Sequence, residues 1–125
     1  AVSGGGWNRV GFEQIAAWDP AVITLVAYRQ DVSAIRDSLL ADPAWAELAA
    51  VRSGQLHIFP LDFYSWDQPD VRWILGLQWL ATTLHPEQIE IDVMAELYDF
   101  FEFAYDMSRD EVDAVLVPLL EGVER

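Results

Sequence analysis

The sequence predicts an α/β fold: a three-layer lobe with a small, mostly parallel sheet flanked by helices and followed by a helical C-terminal tail. Three observations predict it. Helical spacing alternates with short β-rich runs up to about residue 85, the order expected of parallel strands joined by helical crossovers. The run Ala21–Ala27 is almost continuously apolar and rich in β-branched residues, as strands covered on both faces are. Beyond Pro86 no strand pattern appears, only amphipathic segments dense in acid.

Each element has a local reason. Phe12–Trp18 reads as a short helix stopped by Asp19-Pro20, because a residue before proline avoids the helical region. The strand run Ala21–Ala27 follows. Asp31 is placed to cap a helix to Leu40, with Val32, Ile35 and Leu39 on one face. Asp42-Pro43 opens another short helix carrying Trp45 and Leu48, and Gly54 is placed to end it. Gln55–Phe59 alternates Leu56 and Ile58 against His57 and Phe59, a second strand. Pro69 marks the first turn of a long helix to about His85, its inward stripe being Trp73, Leu77, Leu80, Ala81 and Leu84. Gly76 within it costs about 1 kcal/mol against alanine, which close packing would explain. A helix from Asp92 to Asp106 turns Met94, Leu97, Phe101 and Tyr105 inward; Ser108 and Glu111 have capping-box spacing for a last helix that Pro118 bends or ends. Two strands are few for a free-standing sheet. Either the start of the chain near Ala1-Val2 adds another, or the sheet is completed elsewhere.

Composition removes several function classes. At 125 residues the chain has the size of one domain, and 53% hydrophobic content excludes disorder. No apolar stretch approaches the roughly 18 residues of a membrane span. The net charge of −14 denies the chain the basic footprint of a nucleic-acid binder, and anionic membrane surfaces would repel it. From Pro86 onward twelve acids face two arginines, so −10 of that charge lies in the tail, read as a solvated helical face. Cysteine is absent, so thiolate metal sites and cysteine nucleophiles are excluded and either redox compartment fits. Ser3–Gly6 reads as a loop internal to a longer protein; its glycines lack the lysine and spacing of a phosphate loop.

Catalytic signals are sparse. His57 and His85 stand at no metal-ligand spacing, and no nucleophile elbow is present. The strongest candidate site is the loop Leu61–Gln68, where Phe63, Tyr64 and Trp66 follow a strand end and precede a helix. In open α/β sheets ligands sit at the carboxyl ends of strands, and large rings there form a rigid wall. The rings equally suit a plug closing the core, and Trp7 presents the same choice. Asp67 and Asp70 lie where the next helix begins, as caps or as docking acids for a basic partner.

Residues 4–25, GGGWNRVGFEQIAAWDPAVITL, resemble the start of the C-terminal lobe of one family of substrate-binding proteins. These serve ABC importers for ferric siderophores, haem, cobalamin and, in some members, molybdate or tungstate (the class III periplasmic-binding family). Pro43–Trp45 with residues 50–60, AVRSGQLHIFP, and residues 63–69, FYSWDQP, running into Arg72–Ala81, are similar to two further passages. The resemblance covers about Gly4 to Pro86. It implies that residues 1–125 are a single α/β domain, the second of two lobes, with the N-terminal lobe and a linker helix outside this chain. It implies capture rather than catalysis, no resident cofactor, and a small metal-chelate ligand held between the lobes. Trp7, Phe63, Tyr64 and Trp66 would line the cleft, and Arg9 would meet an anionic ligand; Arg72, inside a helix, reads as an ion pair. Asp67, or its rival Asp70, would dock on arginines of the permease. It also implies an extracytoplasmic location, free or held by a lipid anchor, with membrane contact through the permease or that anchor. The isolated lobe, its cleft face open, would be prone to dimerise. Two other classes stay open: a stand-alone acidic interaction or sensor domain, and a chelatase-like lobe using His57 with Asp62.

Overall fold

The computed structural model describes residues 7–123. Its elements run α1 (Phe12–Trp18), β1 (Ile23–Leu25), α2 (Val32–Ala41), α3 (Ala49–Arg52), β2 (Leu56–Ile58), α4 (Trp73–Leu84), α5 (Val93–Tyr105) and α6 (Arg109–Val115). Single 3-10 turns precede α3 (Trp45–Glu47) and follow α6 (Val117–Leu119). The fold is α/β. β1 and β2 pair in parallel, Ile23 opposite Leu56 and Leu25 opposite Ile58, and helices flank them. A third strand near Ala1-Val2 and a phosphate cradle at Gly4–Gly6 both lie outside the described residues. No helix among the described residues is long and apolar enough to cross a membrane.

Local chemistry explains most boundaries. Asp19 adopts the left-handed conformation (φ 39°) that ends α1, tolerable for an aspartate. Its carboxylate also accepts from the Ala49 amide at 2.7 Å, capping α3 thirty residues away. Asp31 and Asp92 cap α2 and α5 by accepting from Ala34 and Ala95. The Ser108–Glu111 capping box is formed in both directions, and Pro118 lies in the 3-10 turn after α6. Gly54 takes φ 73° as it leaves α3.

The two edges of the sheet differ. Ile23 N–H donates to Gln55 O and Phe59 N–H to Leu25 O, so Leu56 and Ile58 turn their backbone groups outward. Arg36 Nε donates to Leu56 O at 3.0 Å, and Gly122 lies so close to Ile58 O that a Cβ there would approach it to 2.5 Å. The outer edge of β2 is therefore covered. No described strand pairs with the outer edge of β1.

The main core joins Trp66, Leu75, Leu97, Phe101, Val112, Leu116 and Leu120. Three expectations fail here. α4 begins at Trp73, not near Pro69, because turns hold residues 68–73 and the Asp70 side chain captures the Arg72 amide at 3.0 Å. Its inward stripe is also reversed. Leu75, Gly76 and Trp79 are buried, whereas Trp73, Leu77 and Leu84 are exposed by 53%, 49% and 43%. α4 is apolar nearly all round, so periodicity could not choose its buried face. Tyr105, expected inside α5, is half exposed and stacks on Phe101.

The close packing expected of Gly76 is present. A Cβ there would meet the Trp66 carbonyl oxygen at 2.6 Å and the Phe59 ring at 3.1 Å. Gly76→Ala gains about 1 kcal/mol of helix propensity and incurs roughly 1–3 kcal/mol of overpacking. The expected outcome in a denaturant titration is net destabilisation; a midpoint raised by the substitution would show that the loop yields freely.

Candidate functional site

The loop after β2 is built around one carboxylate. Asp62 has a side chain with no solvent exposure. Its Oδ1 accepts from the Tyr64 amide at 3.0 Å, and its Oδ2 accepts from the Trp66 indole at 3.2 Å. Arg72 Nε approaches the same Oδ2 at 3.2 Å as an ion pair. The backbone closes the ring, since Trp66 N–H donates to Pro60 O and Asp62 N–H to Tyr64 O. Leu61 exchanges two backbone hydrogen bonds with Glu121, which also accepts from Ser33. The C-terminal segment thus ties the loop to α2.

Arg72 links this loop to the helical tail. Its Nη1 pairs with Asp70 at 3.2 Å. Its guanidinium lies over the rings of Tyr64, Phe101 and Tyr105 at 5.4, 5.5 and 5.8 Å. The ion-pair reading of Arg72 holds, and the pair is nearly dry. Such a pair is costly to break from one side, because the other charge stays buried. Cation–π contact with three rings adds to it.

These contacts sort the candidate residues. Phe63 and Tyr64 stand out from the loop, 60% and 56% exposed. Trp66 does not, at 1% exposed in the centre of the core. The placement of Trp66 on a ligand wall is therefore corrected: burying its ring and bonding its indole to Asp62 makes it the anchor beneath the wall. Trp7 is 88% exposed, and Arg9 is exposed with no carboxylate paired to it among the described residues.

Neither acid caps α4, whose N-cap is Arg72 without a side-chain bond. Asp70 is held by Arg72 through both amide and guanidinium. Asp67 is exposed and accepts from the Tyr28 hydroxyl at 2.6 Å. Tyr28 lies in the segment after β1, so this bond joins the loops at the carboxyl ends of both strands. Sequence reasoning missed Tyr28, thirty-nine positions from its partner. It also missed the ring trio around Arg72, one member from the loop and two from α5. His57 and Asp62 are not brought together: His57 bonds Gln55 at 2.9 Å and packs edge-on to Trp79, while Asp62 is fully engaged within its loop. The chelatase-like pair is not formed. No cluster of metal-ligating side chains occurs among the described residues.

Comparison with known proteins follows this geometry. No family model matches the chain. It is 28% identical over 105 residues to the molybdate-binding protein MolA of Haemophilus influenzae, covering 82% of this chain and 29% of that protein. Among solved structures it is similar to a periplasmic solute binding protein from Veillonella parvula (TM-score 0.71, 24% identity), covering 94% of this chain and 37% of that one. It is also similar to an ABC transporter solute binding protein from Sulfurospirillum deleyianum (TM-score 0.70, 24% identity, 88% and 34%). The chain spans about a third of the length of these proteins. All three are described as binding proteins.

Two outcomes follow from the site. Trp66→Ala removes a buried ring and one partner of Asp62, and should cost about 3–5 kcal/mol of stability by urea unfolding. A stability change below about 1 kcal/mol would return Trp66 to the ligand wall. The second concerns pH. The Asp67 hydrogen bond, with burial and the carboxylate charge, raises the Tyr28 phenol above its usual 10.0. Folding therefore favours the neutral phenol. That contribution is present below pH 10 and is lost as pH rises through the raised value. The stability gap between wild type and Tyr28→Phe should hold below pH 10 and narrow as pH rises above it; a gap that stays constant above pH 10 would mean the bond is not formed in solution.

Proposed function

We propose that the chain is one lobe of the solute-binding component of an ABC importer, acting outside the cytoplasmic membrane. The observation that carries this reading is the exposed Phe63–Tyr64 pair on a loop at the carboxyl end of β2. That pair is set on a dry base of Asp62, Trp66 and Arg72. Such an arrangement presents a stiff aromatic wall. The likeness to a molybdate-binding protein over 82% of the chain points the same way.

Two features support a second lobe. The apolar outer face of α4 and the edge of β1 that no described strand pairs are both surfaces that larger proteins cover. The ligand then lies between Phe63, Tyr64 and Trp7 on this lobe and groups on the other. Arg9 meets an anionic ligand, since Arg72 is neutralised by Asp62 and Asp70. Molybdate is the first ligand to test, with ferric siderophore, haem and cobalamin as the alternatives of the same metal-containing class. The loaded protein docks on the permease through Asp67, whose carboxylate is exposed yet held in place by Tyr28.

Titration of the complete importer-binding protein with molybdate, read by tryptophan fluorescence and calorimetry, tests the ligand. Tyr64→Ala should weaken binding about tenfold or more, the loss of a contact ring. Asp67→Arg should leave affinity unchanged and reduce uptake in vesicles reconstituted with the permease. Binding of none of the four ligands would leave an acidic interaction domain as the reading, whereas normal uptake by Asp67→Arg would overturn the docking role of Asp67 alone.

A further inference from the structure

A second cavity lies elsewhere on the lobe, and none of the loop rings line it. It measures about 650 Å³ and opens between α2, the outer edge of β2, the end of α4, the start of α5 and the Gly122 segment. Small-molecule sites commonly fall in the range of roughly 300–1,000 Å³. Its most informative wall residue is Arg36. Its Nε is pinned to Leu56 O, which fixes the guanidinium at the strand edge. Arg36 is half-buried, and among the described residues no carboxylate pairs with it. An arginine fork partly removed from water is complementary to a planar oxyanion, which it can hold through two parallel bonds.

The other walls define what that anion is attached to. Trp79 and Met94 supply apolar surface, and the His57 ring stands edge-on to Trp79 at 6.2 Å, held by Gln55. Thr82 and Thr83 add hydroxyls. Asp92 also borders the cavity, but its Oδ1 is engaged with the Ala95 amide as the cap of α5. A bare inorganic anion would leave the apolar walls wet, and a neutral apolar molecule would leave Arg36 unpaired. We infer that this cavity binds a small organic carboxylate with an apolar body, its carboxylate on Arg36 and its body against Trp79 and Met94. The inference is independent of the importer reading, which concerns the opposite set of residues.

The test uses the 125-residue chain and benzoate as probe, with benzyl alcohol and sulfate as controls, followed by NMR. Benzoate should shift the Trp79 indole and Arg36 Nε resonances saturably, with a Kd at or below about 1 mM. Arg36→Gln should weaken binding at least about tenfold, and Arg36→Lys should restore part of it. Met94→Trp fills the cavity and should abolish binding whether or not Arg36→Gln folds well. The inference is overturned by benzyl alcohol or sulfate binding as tightly as benzoate. It is equally overturned by unchanged affinity in Met94→Trp, by shifts centred on Tyr64, or by no saturation at about 10 mM.

Discussion

The buried Asp62 carboxylate is the constraint on which the rest of the lobe depends. It has no solvent exposure, and it is satisfied by an amide, an indole and a guanidinium from three positions of one short segment. A desolvated carboxylate has few other stable arrangements, because each missing donor leaves charge uncompensated in a poor solvent for it. The path of residues 60–72 follows from that demand. Trp66 must turn inward for its indole to reach Asp62, and its ring then fills the centre of the core. Its carbonyl must lie against α4, where only glycine leaves room, so Gly76 belongs to the same constraint. Phe63 and Tyr64 occupy the turn that Asp62 closes, and they are exposed for that reason.

The same constraint carries structure from the sheet into the helical tail. Arg72 reaches Asp62 from the residue just before α4, and Phe101 and Tyr105 of α5 cover its guanidinium. A cation bounded by two carboxylates and three rings is close to neutral toward its surroundings. The wall above it is therefore apolar and stiff rather than cationic. At the sheet, Arg36 and Gly122 guard one edge, and no described strand pairs with the other. A two-stranded sheet is by itself a marginal unit. The lobe is held by its helices and by the ties at Glu121 more than by strand pairing.

Charge is distributed with the same division of labour. The acids of the tail are mostly at helix surfaces and caps, where they interact with water, with the dipoles of α5 and α6 and with occasional hydroxyls. The acids near the loop are each tied to a specific partner: Asp62 to Trp66 and Arg72, Asp67 to Tyr28, Asp70 to Arg72. The tethers on Asp67 and Asp70 hold two surface carboxylates in place, whereas Asp62 is held inside the core.

Local chemistry was legible in the sequence wherever the determining groups lie within a few residues of one another. The span of α1, the aspartate cap of α2, the Ser108–Glu111 box, the parallel strands and the close packing at Gly76 all follow from propensity, capping and alternation. The aromatic loop was legible as a candidate site because its composition is unusual and it follows a strand. Which rings stand out from the loop was not legible, since Phe63, Tyr64 and Trp66 are all large aromatics and only the hydrogen bond to Asp62 separates them. The buried face of α4 was hidden for a related reason, because a helix apolar on every side carries no phase. The Tyr28–Asp67 bond, the Asp19 cap on α3 and the rings around Arg72 join residues far apart in the chain. Such pairs are fixed by where the elements pack, so tertiary structure alone decided them.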